Sequence, residues 1–111
     1  MQKIEKLPVF GYRGNSYFFD IYPLEQDYPS LPGIYIIAKR VPAPNALYTI
    51  VWVGHTDSFK NIPTELQQDC TKTNGANSIG LIKVEKEEDR LAIVKEITER
   101  FKPICNMVAN S

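Results

Sequence analysis

The sequence predicts an α+β domain in which a small, mainly antiparallel β-sheet is flanked by helices. Three observations lead to this prediction. The 111 residues leave room for one hydrophobic core. Short runs rich in Val, Ile, Tyr and Phe are separated by proline and glycine, which is typical of strands and turns. One long stretch near the C terminus carries apolar residues at helical spacing. The predicted order of elements is β-β-β-β-α-β-α.

The N-terminal part is predicted to form a β-hairpin. Aromatic and β-branched residues at 9–12 and 16–22 flank a Gly-Asn turn. Residues 24–32 carry acidic side chains and two prolines, which favours a loop. We therefore assign residues 1–30 to a hairpin and loop that belong to the same domain as the rest.

Two central strands are predicted at residues 34–38 and 47–53, paired antiparallel. Both look apolar on each face, so we expect a central position with cover on both sides. Strict alternation would place Tyr48, Ile50 and Trp52 together on one face.

The second half should contain a short helix at residues 61–69, a strand at 78–84 and a long helix at 85–101. Asn61 can cap the short helix, and Pro63 suits its first turn. Acidic residues begin the long helix, where they complement the helix dipole. Four apolar residues of the long helix are expected to face the core: Leu91, Val94, Ile97 and Phe101.

Composition and charge exclude some classes of protein. Lysine and arginine number 13, as do aspartate and glutamate, so the chain lacks the basic footprint of a dedicated nucleic-acid binder. No apolar run is long enough to span a bilayer, and no secretory signal is visible, so we expect no membrane partner. Cys70 and Cys105 are far apart in the chain, which favours reduced thiols and a cytoplasmic location. A disulfide between them is the less favoured alternative.

Several short motifs occur at a characteristic spacing. They are Gly33-Ile34-Tyr35, Trp52-Val53-Gly54, Gly75-Ala76, Arg90-Leu91-Ala92-Ile93 and the Pro103-x-x-Asn106 ending. Together they resemble the GIY-YIG nuclease superfamily, and within it the small stand-alone members with an N-terminal aromatic hairpin. The resemblance covers roughly residues 31–106. It implies an α/β-sandwich-like domain over residues 31–108 with the hairpin as an extra element.

The resemblance also implies a catalytic set. It comprises one tyrosine from each of the first two motifs, an arginine on the first helix, a glutamate that holds one divalent metal on the last helix, and an asparagine near the end. Carried over by position, Tyr35 matches the first tyrosine and Asn106 the asparagine. Trp52 stands at the second tyrosine, Ile62 at the arginine and Val94 at the glutamate. An indole donates a hydrogen bond but cannot act as a base.

A vestigial site of Tyr35, Trp52, Val94 and Asn106 therefore lacks the groups that hydrolyse a phosphodiester. The nearby Glu96 is predicted to point away from the helix face that meets the sheet. We expect no catalytic residue, no metal and no cofactor. The expected function is a binding or regulatory module with a protein or nucleic-acid partner. The alternative is an active endonuclease with relocated ligands that uses Mg²⁺ or Mn²⁺. A separate third possibility is a decoy that antagonises an active relative or occupies its target.

Five side chains are candidates for contacting that partner: Tyr35, Trp52, His55, Lys60 and Asn106. Each also has a purely structural interpretation. Tyr35 and Trp52 suit core packing, and Lys60 suits a solvated surface charge. His55 suits a solvated loop after the second motif, and Asn106 suits a C-terminal loop where it bonds backbone groups. Self-pairing of the hairpin edge to give a homodimer is kept as a further alternative.

Overall fold

The computed structural model of the chain describes residues 3–24, 27–42, 47–65 and 68–109, and within these ranges it is an α+β fold. The α+β prediction is thus confirmed. The strands are β1 (Glu5–Phe10), β2 (Ser16–Pro23), β3 (Gly33–Val41), β4 (Leu47–Thr56) and β5 (Ser78–Lys83). The helices are α1 (Ile62–Glu65), α2 (Gln68–Thr73), α3 (Glu87–Phe101) and α4 (Ile104–Ala109), with a 3-10 turn at Phe59–Asn61. The helix predicted at 61–69 corresponds to α1 and the start of α2, and its residues 66–67 lie outside the described ranges.

The strands form one sheet in the order β1-β2-β5-β3-β4, and every neighbouring pair is antiparallel. The predicted antiparallel pairing of the two motif strands, β3 and β4, is confirmed, with Tyr35 opposite Gly54. The predicted central position is correct for β3 and wrong for β4, which is an end strand of the sheet. The predicted hairpin is also present, although β1 begins and ends earlier than expected. Gly14 adopts φ of 84° in its turn, a conformation that glycine adopts without steric cost.

Pro8 can lie inside β1 because β1 is an end strand. The Gly11 N–H donates to Asn15 O at 2.8 Å, so Gly11 directs its backbone groups at β2. Positions of this kind recur every second residue in an antiparallel pair, which gives Val9 the same direction and Pro8 the opposite one. The N–H that Pro8 lacks would therefore have pointed away from the sheet. A proline at this position disfavours pairing of another strand with the β1 edge, including the hairpin homodimer.

The sheet is curled so far that its first and last strands approach each other. The Tyr48 hydroxyl in β4 donates to Glu5 Oε2 in β1 at 2.6 Å. Arg40 Nε donates to the same hydroxyl at 3.1 Å and lies 3.6 Å from Glu5 Oε2. This contact defines a concave and a convex face of the sheet.

Each face carries its own hydrophobic cluster, so β3 is covered on both sides as predicted. The concave cluster consists of Val9, Phe19, Ile21, Ile34, Ile36, Val53 and Ile97 of α3. The convex cluster consists of Tyr35, Ile37, Val51, Phe59, Ile62, Ile79, Leu81 and Cys105.

A β-bulge in β4 overturns the prediction that Tyr48, Ile50 and Trp52 share a face. Trp52 lies opposite Ile37 and Ile50 lies opposite the next residue, so Val51 is the extra residue between them. An inserted residue reverses the alternation on either side of it. Tyr48 and Ile50 consequently pack against the concave cluster, and Trp52 packs against the convex one.

The predicted core-facing residues of α3 are only partly correct. Ile97 is buried and Val94 is half-buried, but Leu91 and Phe101 are exposed. The inner position of the first turn is taken by Arg90, which is buried. Its aliphatic stem can pack while its charged head is hydrogen-bonded, an option that a hydrophobicity pattern does not reveal.

The expectation of two free thiols is wrong, because Cys70 and Cys105 form a disulfide with a Cα–Cα distance of 5.8 Å. Both cysteines belong to short helices, α2 and α4, that pack on the convex face. Distance along the chain gave no indication of this proximity. Disulfides persist mainly in non-reducing environments, so the cysteines no longer support the predicted cytoplasmic location. Among the described residues, no helix is long and apolar enough to cross a membrane.

Candidate functional site

Tyr35 and Trp52, the aromatic residues of the two motifs, contact each other directly. Trp52 Nε1 donates to the Tyr35 hydroxyl at 3.2 Å. Tyr35 is only 2% exposed and belongs to the convex cluster, whereas Trp52 is half-buried at its margin. The phenol oxygen is thus held inside the protein by a donor that cannot accept a proton from it.

The two motif glycines are explained by close packing. A Cβ atom on Gly54 would lie 2.8 Å from the Tyr35 hydroxyl and 2.9 Å from Trp52 Nε1. A Cβ atom on Gly33 would lie 2.1 Å from the carbonyl oxygen of Ile82. A Cβ atom at either position would force its neighbours to move, so close packing explains both glycines whatever the activity.

Ile62 occupies the position where the resemblance places an arginine. It begins α1, is fully buried and packs in the convex cluster with Tyr35 and Cys105. The surroundings of the Tyr35 ring are therefore largely apolar on this side. Lys60, one of the predicted contact residues, is exposed in the 3-10 turn.

Val94 is not brought together with the rest of the predicted vestigial site. It is half-buried and packs against the concave cluster, whereas Tyr35 and Trp52 pack in and against the convex one. The sheet lies between them. A position count along α3 identifies the residue but not the face of the sheet on which the helix packs.

Asn106 lies in α4 rather than in a loop, and its side chain binds the backbone of β4. The Val53 N–H donates to Asn106 Oδ1 at 2.8 Å, and Asn106 Nδ2 donates to Val53 O at 2.8 Å. These two bonds reproduce what a neighbouring strand would supply. The structure therefore agrees with the structural interpretation of Asn106, in which its side chain bonds backbone groups.

His55 lies within β4, not on a loop as predicted. It stands opposite Ile34, a residue of the concave cluster, and is half-buried. Because directly opposed residues share a face of the sheet, His55 and Tyr35 project to opposite sides. The five predicted contact residues consequently do not form one surface.

Two polar anchors were not predicted as such. Arg90 donates through Nη1 to the carbonyls of Val84 and Glu85, at 3.1 and 2.8 Å, and through Nη2 to Asp57 Oδ1 at 2.6 Å. It thereby ties the end of β4 to the junction of β5 and α3. The sequence signal for this anchor was a charged residue, Arg90, at a position of α3 that faces the protein interior.

Glu96 is the second anchor, and it contacts the hairpin instead of pointing away from the sheet. The Tyr17 hydroxyl donates to Glu96 Oε2 at 2.6 Å, and the Arg13 N–H donates to Oε1 at 3.2 Å. The hydrogen bond from Tyr17 lowers the pKa of Glu96 below its usual value. Burial, followed by this hydrogen bond to Glu96, raises the pKa of Tyr17.

Within the part of the chain that the structure describes, no three His, Cys, Asp or Glu side chains are grouped so that they could hold a metal ion. In comparisons with protein-family models, curated proteins and solved structures, none matched this chain.

Proposed function

We propose that this chain is a small α+β domain with the fold of the nuclease superfamily that its motifs resemble. More specifically, we propose that it is a GIY-YIG-fold protein that has lost endonuclease activity and serves as a binding or regulatory module. The observation that carries the proposal is the apolar surrounding of Tyr35. Ile62, at the position where the resemblance places an arginine, packs in the same apolar cluster.

The chemistry of phosphodiester hydrolysis supports this proposal. The reaction needs an activated water, a cation or dipoles at the phosphate and a divalent metal for the developing charge. An isoleucine and a valine supply none of these. The surviving polar groups of Tyr35 and Asn106 are engaged in the contacts to Trp52 and Val53.

A protein is the partner that we favour, and the hairpin is the surface that we propose for it. Phe10 and Phe18 are 50% and 53% exposed on the convex side of β1 and β2. Large exposed aromatic side chains are typical of contact sites. A chain with zero net charge offers little long-range attraction to phosphates, which argues against nucleic acid.

Two measurements test the proposal. Purified protein is incubated with supercoiled plasmid and Mg²⁺ or Mn²⁺, with Tyr35→Phe as the matched variant. We expect no nicking, and nicking that Tyr35→Phe abolishes would establish the active endonuclease instead. Binding to single- and double-stranded DNA and RNA is then measured over a salt titration. Micromolar binding that falls steeply with salt would replace the protein partner with a nucleic acid.

A further inference from the structure

At Val53, the outer edge of β4 is covered by the side chain of one described residue, Asn106. β4 is an end strand, and the N–H and C=O of Val53 both bond the Asn106 amide. A primary amide offers one donor and one acceptor side by side, as the backbone of an adjacent strand does. The other end of the sheet is protected differently, because Pro8 in β1 has no N–H to offer to another strand.

The attachment of Asn106 depends on a short helix. α4 has six residues, too few for a helix that is stable by itself. Ile104 and Met107 are 51% and 54% exposed, so they add little burial. Cys105 is fully buried and covalently joined to Cys70 in α2. The disulfide and the Asn106 amide are thus two direct connections between the described part of α4 and the body.

We propose that the β4 edge at Val53 is a docking site for an extended peptide strand, kept closed by Asn106 and opened by reduction of the Cys70–Cys105 disulfide. The partner is defined by its chemistry. A backbone C=O of the docked strand would accept from the Val53 N–H in place of Asn106 Oδ1, and a backbone N–H would donate to the Val53 carbonyl in place of Asn106 Nδ2. The next outward-directed position is His55, where the strand would continue its pairing. This inference goes beyond the proposed function and holds whether or not nuclease activity has been lost.

Reduction requires an external dithiol. Its thiolate attacks Sγ of Cys70, which is a half-buried residue whereas Cys105 is fully buried, and Cys105 leaves as a thiolate that takes up a proton. The second thiol of the reductant then displaces Cys70, so that two electrons pass to the disulfide and the dithiol becomes oxidised. Asn74 Nδ2 lies 3.6 Å from the Cys70 sulfur and 3.9 Å from the Cys105 sulfur, where it can stabilise the departing thiolate.

Amide hydrogen exchange of the full chain tests the opening step. We expect exchange at Val53 to accelerate about tenfold or more on reduction, while Ile36 in the central strand stays within about twofold. Asn106→Ala should accelerate Val53 in the oxidised protein too, whereas Met107→Ala, on an exposed position of the same helix, should not. Unchanged protection of Val53 after reduction would overturn the proposal, as would an equal loss at Ile36, which would mean general unfolding.

A synthetic peptide with the sequence of residues 47–56 serves as the docking probe. We expect it to bind the reduced protein and oxidised Asn106→Ala at least about tenfold more tightly than the oxidised wild type, a difference of about 1.4 kcal/mol. Dimerisation of the reduced protein that restores protection at Val53 would support docking, with the β4 strand of a second copy as the occupant. Equal binding to oxidised and reduced wild type, or binding to neither, would refute it. The plasmid assay reports on nuclease activity separately, so the two proposals can fail independently.

Discussion

Replacement of Gly54 by alanine tests the physical account of the motif most directly. The added methyl carbon would lie 2.8 Å from the Tyr35 hydroxyl and 2.9 Å from Trp52 Nε1. Carbon contacts are ordinarily about 3.5–4.0 Å, so the overlap is about 0.7 Å. Tyr35 is enclosed in the convex cluster, but half-buried Trp52 can swing outward. We therefore expect Trp52 to move and its hydrogen bond to Tyr35 to break.

The expected cost combines two effects. Overpacking of a filled site costs typically 1–3 kcal/mol, and a lost hydrogen bond about 1 kcal/mol. The free energy of unfolding should fall by about 2–4 kcal/mol in Gly54→Ala, measured by urea denaturation of the oxidised protein. Fluorescence of Trp52, the single tryptophan, should shift to longer wavelength in the folded variant.

A double-mutant cycle provides the control. On a Trp52→Phe background the indole nitrogen is absent, so Gly54→Ala should cost less, and circular dichroism can follow both transitions. A loss below about 1 kcal/mol together with unchanged Trp52 emission would refute the close-packing explanation of Gly54.

Three further predictions concern polar groups and α3. Because the pKa of Glu96 is lowered in the folded state, its stabilising effect is present above the unfolded value of 4.5 and disappears as the pH falls through the folded pKa. The urea midpoint of Glu96→Gln should therefore decrease less than that of the wild type between pH 7 and 3; parallel curves would contradict this. Tyr48→Phe should lower the free energy of unfolding by about 1 kcal/mol at pH 7. Since the pKa of Tyr48 is raised, chiefly by burial, the wild type should lose more stability than this variant as the pH rises above 10; a constant difference would contradict that. Val94→Glu should produce no Mg²⁺-dependent plasmid nicking and no Mg²⁺ binding by calorimetry, because the sheet separates this position from Tyr35; either signal would place both on one site.

The strands and the hairpin could be predicted because their signals are local. β-prone runs ended by proline or glycine predicted the positions of β3 and β4, and the Gly-Asn turn predicted the hairpin. The bulge at Val51 has no such signal, since residues 50–53 are all apolar and no change from polar to apolar marks the extra residue. The burial of Arg90 was hidden for a different reason: a pattern based on hydrophobicity treats every arginine as external.

The candidate site could be predicted only where the pairing of two strands determines which of their residues lie close together. Pairing of the two motifs put Tyr35 and Trp52 close together, as the structure has them. The face on which α3 packs depends on the whole fold, so the position of Val94 relative to Tyr35 could not be read from spacing. The same holds for the Cys70–Cys105 disulfide, which joins two helices that meet only after both have packed on the sheet.

The contact of Glu5 with Tyr48 and Arg40 has a consequence for where the protein opens locally. The sheet is close to a barrel whose two end strands are joined along a seam by side chains, and the described residues of these strands form no ladder of backbone bonds with each other. Side-chain fastenings at a surface open more readily than a ladder does. Water should therefore first reach the interior behind α3 along this seam, and shortening the N terminus past Glu5 would leave it unfastened.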